Sequence, residues 1–103
     1  MLQQTESEFQ RTVIDLAHTF NWMVAHFRPA MTAHGWRTAV SADGKGFPDL
    51  VLVREKVIFA ELKLDKATLS PEQAGWGQSL IVARANYYVW RPGNWDEIVE
   101  VLR

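Results

Sequence analysis

Apolar residues recur at helical spacing near the start of the chain, where Phe9, Val13, Leu16, Ala17 and Phe20 share one face. Thr5 stands where an N-cap belongs and Glu8 follows three residues later, so a capped helix is predicted from Thr5 to about Phe20. Asn21 suits the left-handed position that ends such a helix. Trp22 to Phe27 reads as a first strand. Arg28 to Gly46 shows no period and is broken by Pro29, Gly35, Gly44 and Gly46, which predicts a long loop of the kind that usually carries function. Pro48 to Val53 and Val57 to Lys63 are dense in Val, Ile, Leu and Phe around the polar turn Arg54-Glu55-Lys56, a hairpin pattern. Beyond a connector from Leu64 to Leu69, a second helix opens with Ser70 as N-cap, Pro71 as first helical residue and Gln73 as reciprocal capping partner. Trp76, Leu80 and Ala83 form its packing face, and Asn86 is expected to terminate it. Tyr87 to Trp90 is a last strand, and Asn94 caps a final helix from Trp95 to Leu102. The predicted order is αβββαβα, in one domain spanning residues 1–103.

The hairpin contains acids where a buried sheet should have none. Centring its turn on Glu55 pairs Val53 with Val57, Val51 with Phe59, and Asp49 with Glu61. Two carboxylates would then face each other across roughly 5 Å, which is destabilising unless a cation lies between them. Lys63 follows Glu61 by two residues and shares its face. The other face carries Leu50, Leu52, Ile58, Ala60 and Leu62, so both faces of the strands are expected to be covered. A Glu-x-Lys by itself is usually a surface ion pair; a matched Asp across an apolar hairpin makes it a candidate divalent-metal site.

Glu6 falls on the buried stripe's side of the first helix, one turn before Phe9, whereas Glu8 points away; Glu6 is therefore a candidate for the site, with favourable placement at the helix dipole as the alternative. Gln73 is fully explained by its cap.

Composition narrows the function. With 48% hydrophobic residues in 103, the chain can bury one core. Absence of cysteine removes disulfides and thiolate metal sites, and fits a cytoplasmic protein. No apolar run approaches the ~18 residues of a membrane span. The net charge of −1 does not advertise nucleic-acid binding, but the stretch before the hairpin is locally basic. Arg28, Arg37 and Lys45, interleaved with Trp36, are candidates for phosphate contacts to DNA, with Gly44 and Gly46 expected to let the backbone approach the substrate.

Pro48-Asp49 followed by Glu61-x-Lys63 resembles the signature of the PD-(D/E)XK nucleases. The longer string GFPDLVLVR…VIFAELK…LSPEQ resembles their VRR-NUC branch, the virus-type replication-repair nucleases, and the likeness runs from Thr5-Glu6 to the closing Trp-Arg-Pro…Trp-Asp-Glu segment. It implies an α/β (α+β) restriction-endonuclease-like αβββαβ core, with a mixed sheet flanked by helices and a short C-terminal helix. It also places Glu6 and Gln73 at the active site. Asp49, Glu61 and the main-chain carbonyl of Leu62 would hold Mg²⁺ or Mn²⁺, and Lys63 would orient the attacking water.

The implied activity is metal-dependent endonucleolytic hydrolysis of DNA, selective for four-way junctions or other branched forms. A homodimer in a bacterial or phage-infected cell is the implied setting. The rival is an inert nucleic-acid-binding module that kept the fold. A hydrolase of small phosphate esters would want a glycine-rich phosphate cradle, and a zinc enzyme a histidine motif; the sequence has neither.

Overall fold

The computed structural model describes residues 4–27, 30–33, 35–37 and 40–103, with the side chains at 30–32, 36 and 37 outside that description. Helix α1 (Glu6–Thr19) begins at Thr5, whose hydroxyl accepts from the Glu8 N–H at 3.1 Å while Glu8 accepts from the Thr5 N–H at 2.9 Å. Asn21, at φ 69°, reverses the chain into β1 (Met23–His26). Strands β4 (Leu50–Val53) and β5 (Val57–Leu62) form the expected hairpin with Val53 opposite Val57 and Val51 opposite Phe59. Helix α2 (Pro71–Val82) crosses to β6 (Asn86–Trp90), which runs parallel to β5, and α3 (Trp95–Leu102) ends the chain. The sheet order is β1-β4-β5-β6. The protein is thus mixed α+β, a four-stranded mixed sheet flanked by three helices, consistent with a nuclease-like α/β core.

Alternation along the strands decides which helix covers which face. Leu50, Leu52, Ile58, Ala60, Leu62 and Trp90 are fully buried with Phe9, Val13 and Ala17 of α1 and Ile98 and Leu102 of α3. Opposite them, α2 lies over Phe59, Glu61 and Tyr87. It costs the helix an interior glycine to do so: a Cβ at Gly77 would meet the Tyr87 ring at 2.7 Å. Cover on this face is incomplete, since Val53 is 38% exposed and Val57 42%. The expectation that the strands are covered on both faces therefore holds toward Glu61 and fails at the turn end, where Val53 and Val57 reach solvent.

Other differences are local. Within the predicted loop, Ala30–Thr32 (β2) pairs with Gly35–Arg37 (β3) in a separate two-stranded hairpin, with Gly35 at φ 98° just past the turn. Met31, Thr32 and Trp36 favour strands, and Pro29 and Gly35 beside them hid that preference. Arg84 at φ 63°, not Asn86, turns the chain after α2; Asn86 enters β6 and donates from Nδ2 to the Val57 carbonyl at 3.1 Å. Ala83 is exposed, so the face that α2 buries is centred on Gly77. Asn94 makes no side-chain cap on α3; its Oδ1 accepts from the Arg91 N–H at 2.9 Å and closes a 3-10 turn at Pro92–Asn94.

Candidate active site

Pro48 is buried and delivers Asp49 to the start of β4. There the β4–β5 ladder ends, and the Leu62 N–H just beyond it donates to Asp49 Oδ2 at 2.8 Å. A side chain thus takes over where the main-chain pairing stops. Register continued one step past Leu50 and Ala60 sets Asp49 against Glu61, and their carboxyl groups come within hydrogen-bonding reach of each other.

Glu61 is 2% exposed and is the one buried charged residue among those described. Its Oε2 accepts from Gln73 Nε2 at 3.1 Å. The capping box dictates that contact. Ser70 N–H needs an acceptor and takes Gln73 Oε1 at 2.8 Å, so the amide nitrogen is left to face Glu61. Glu61 Oε1 is buried with no hydrogen-bond partner.

Burial first, then the charge of Asp49, pushes the Glu61 carboxyl up to about 8. Burial also raises Asp49, against the opposing pull of the Leu62 N–H, the Glu61 hydrogen bond, His26 and Lys63. Half-buried Lys63 favours the ionised form of both acids. The pair in this state holds a proton where a cation would serve as well.

The loop before Asp49 is anchored from α2. Gly46, at φ 84°, lies so close to the first turn of that helix that a Cβ would meet the Glu72 carbonyl carbon at 2.6 Å and the Gln73 nitrogen at 2.7 Å. The close approach expected of this glycine is therefore to the helix. Phe47 then makes edge-to-face contacts with Phe27, Phe59 and Trp76 at centroid distances of 5.5, 6.1 and 5.0 Å. Trp76 Nε1 donates to the Asp43 carbonyl at 2.9 Å.

Asp49, Glu61, Lys63, Gln73 and the backbone of Leu62 are brought together. Glu6 is exposed in the first turn of α1 and is not among the groups acting on either carboxyl. Lys45 is exposed on a groove of about 670 Å³ beside α2 that also holds Asp43, Glu72 and Trp76. Arg28 lies outside the described residues, as does the side chain of Arg37. Sequence reasoning missed Tyr87, whose hydroxyl is buried without a hydrogen-bond partner; burial first, then the fields of Glu61 and Asp49, raises its pKa. It also missed Phe47, because ring contacts between distant segments leave no local spacing to read.

Among the described residues no three acids or histidines gather to enclose a metal, so the protein supplies a carboxylate pair. That donor set fits Mg²⁺ or Mn²⁺. Hard oxygen ligands suit both ions, Mg²⁺ takes one or two carboxylates and fills its shell with water and phosphate, and the orphaned Glu61 Oε1 is a buried acceptor in need of a partner. Zinc, which prefers nitrogen and sulfur, fits poorly. No helix among the described residues is long and apolar enough to cross a membrane. No family model matches this chain, and neither a curated protein nor a solved structure matches it.

Proposed function

We propose that the protein is a metal-dependent endonuclease that hydrolyses DNA phosphodiester bonds at Asp49 and Glu61. The observation that carries this reading is the carboxylate pair itself: buried Glu61 beside half-buried Asp49 in an apolar sheet, one Glu61 oxygen without a hydrogen-bond partner, and an ammonium two residues away. Such a pair costs stability in the free protein, and a ligand that offsets the cost accounts for its presence.

Asp49 and Glu61 would hold Mg²⁺ or Mn²⁺. The Leu62 carbonyl would join them, because the N–H and C=O of a strand residue point to the same side and its N–H already faces Asp49. When bound, the ion polarises the phosphate and lowers the pKa of a water. Lys63 orients that water and offsets charge growing on the phosphate oxygens. Gln73 holds Glu61 in place. Lys45, with Arg28 and Arg37, supplies backbone contacts that carry no sequence preference. The resemblance in sequence adds branched DNA as the preferred substrate and a two-fold dimer that cuts opposing strands in the cytoplasm.

The test is cutting of labelled four-way junction, flap and linear duplex with Mg²⁺, Mn²⁺ or EDTA. Wild type should cut only with metal, and Asp49→Ala should lose at least about 10³-fold in rate while remaining folded. Binding without cutting under every metal would instead assign the fold to an inert DNA-binding module.

A further inference from the structure

Phe27 follows β1 directly, and its N–H donates to the Asp49 carbonyl at 3.0 Å. That bond continues the β1–β4 register one step past His26 and Leu50, so Phe27 sits directly across from Asp49 on the same face of the sheet. Phe27, Asp49 and Glu61 thus form one row, with neighbouring strands about 4.8 Å apart. The two ends of the row differ. Beyond Glu61 the row continues to Val89 of β6, with Gln73 of α2 donating to Glu61, whereas Phe27 follows the edge strand with 46% of its surface exposed among the described residues. A phosphodiester reaching the acids from the open side passes over this ring. The ring is also braced, at 5.5 Å and 89° to Phe47, which is itself packed against Phe59 and Trp76.

We infer that Phe27 is a stacking platform for an unpaired nucleobase next to the phosphate held at the acid pair. The inference rests on the nuclease reading of that pair and supplies its selectivity. The sugar separates a base from its own phosphate, so with the phosphate held through a metal at Asp49 and Glu61 the adjoining base reaches out along the row toward the Phe27 ring. It can present its face there only if it has left the helical stack. Flaps, single strands and the branch of a junction offer such a base at little cost, and paired duplex does not. Stacking on a phenyl ring reads any base, so the preference is for DNA form and not for sequence.

The test uses wild type, Phe27→Leu and Phe27→Trp with Ca²⁺ in place of Mg²⁺, on single-stranded, four-way-junction and duplex DNA carrying 2-aminopurine at the branch or in the middle of the strand. Wild type should change the 2-aminopurine fluorescence on binding strand and junction, and bind both more tightly than duplex. Phe27→Leu keeps an apolar side chain against Phe47. It should lose that fluorescence change and bind strand and junction about 5- to 50-fold more weakly, with duplex affinity unchanged. Phe27→Trp, read independently, should retain or deepen the change. Equal affinities and an equal fluorescence change in wild type and Phe27→Leu would overturn the inference, as would a change lost in Phe27→Trp. Failure of the nuclease reading is distinguishable, because it appears as no cutting by wild type in Mg²⁺ while the stacking signal in Ca²⁺ is unaffected.

Discussion

Glu61 shows how one residue can record a function as a defect. Unfolded, its carboxyl ionises near its ordinary value of 4.5; folded, it keeps its proton up to about 8. Between those values the folded state binds more protons than the unfolded one, so the metal-free protein should lose stability as pH rises from about 4.5 to 8 and level off above that. Asp49, also raised, adds to the slope in the same direction. Thermal unfolding in EDTA across this range should show the decline, and Glu61→Gln should flatten most of it; a wild-type stability that rises through the window would contradict the assignment. Register arithmetic in the sequence located the two acids because strand alternation is rigid. It could not locate Tyr87 or the Gly46 contact, since both depend on where α2 lands.

At the scale of elements, α2 links folding to chemistry through one side chain. Gln73 accepts from Ser70 with its oxygen and donates to Glu61 with its nitrogen. Gln73→Glu separates the two roles: a carboxylate still accepts from Ser70 N–H, but it brings a third carboxyl group against Glu61 and Asp49 and removes the amide donor. Helix content by circular dichroism should be retained while cleavage falls about 10- to 100-fold; unchanged cleavage would confine Gln73 to capping. The Thr5 and Ser70 caps were legible beforehand because their partners lie three residues apart, whereas Asn94 turned back to the Arg91 N–H instead of capping α3. The β2–β3 hairpin and the end of α2 at Arg84 were not legible, since short strands beside Pro29 and Gly35 and a left-handed arginine both go against local preference.

Across the whole molecule, one cation gathers the C-terminal ends of two helices. Arg54, read from sequence as a turn residue, donates to the carbonyls of Phe20, Leu102 and Arg103 at 2.9, 3.1 and 3.2 Å. It also pairs with Glu55 and lies 4.5 Å over the Trp22 ring. It thereby caps the ends of α1 and α3 together, at the opposite end of the hairpin from Asp49 and Glu61. Arg54→Ala should lower the melting temperature, with Arg54→Lys recovering only part, because an ammonium lacks the planar fork. Cleavage measured below the transition should be unchanged, and a variant as stable as wild type would refute the clamp. The Arg54 clamp thus lies at one end of the hairpin and the proposed chemistry at the other.

The most direct measurement pairs activity with stability in Glu61→Gln. Its single-turnover cleavage of a labelled four-way junction in Mg²⁺ should be at least about 10³-fold slower than that of wild type, while its unfolding free energy in EDTA at pH 8 is higher, by the order of 1–3 kcal/mol that burying an acid beside a second carboxyl costs. A variant that still cuts, or one less stable than wild type, would contradict a buried pair kept for a metal and a phosphate.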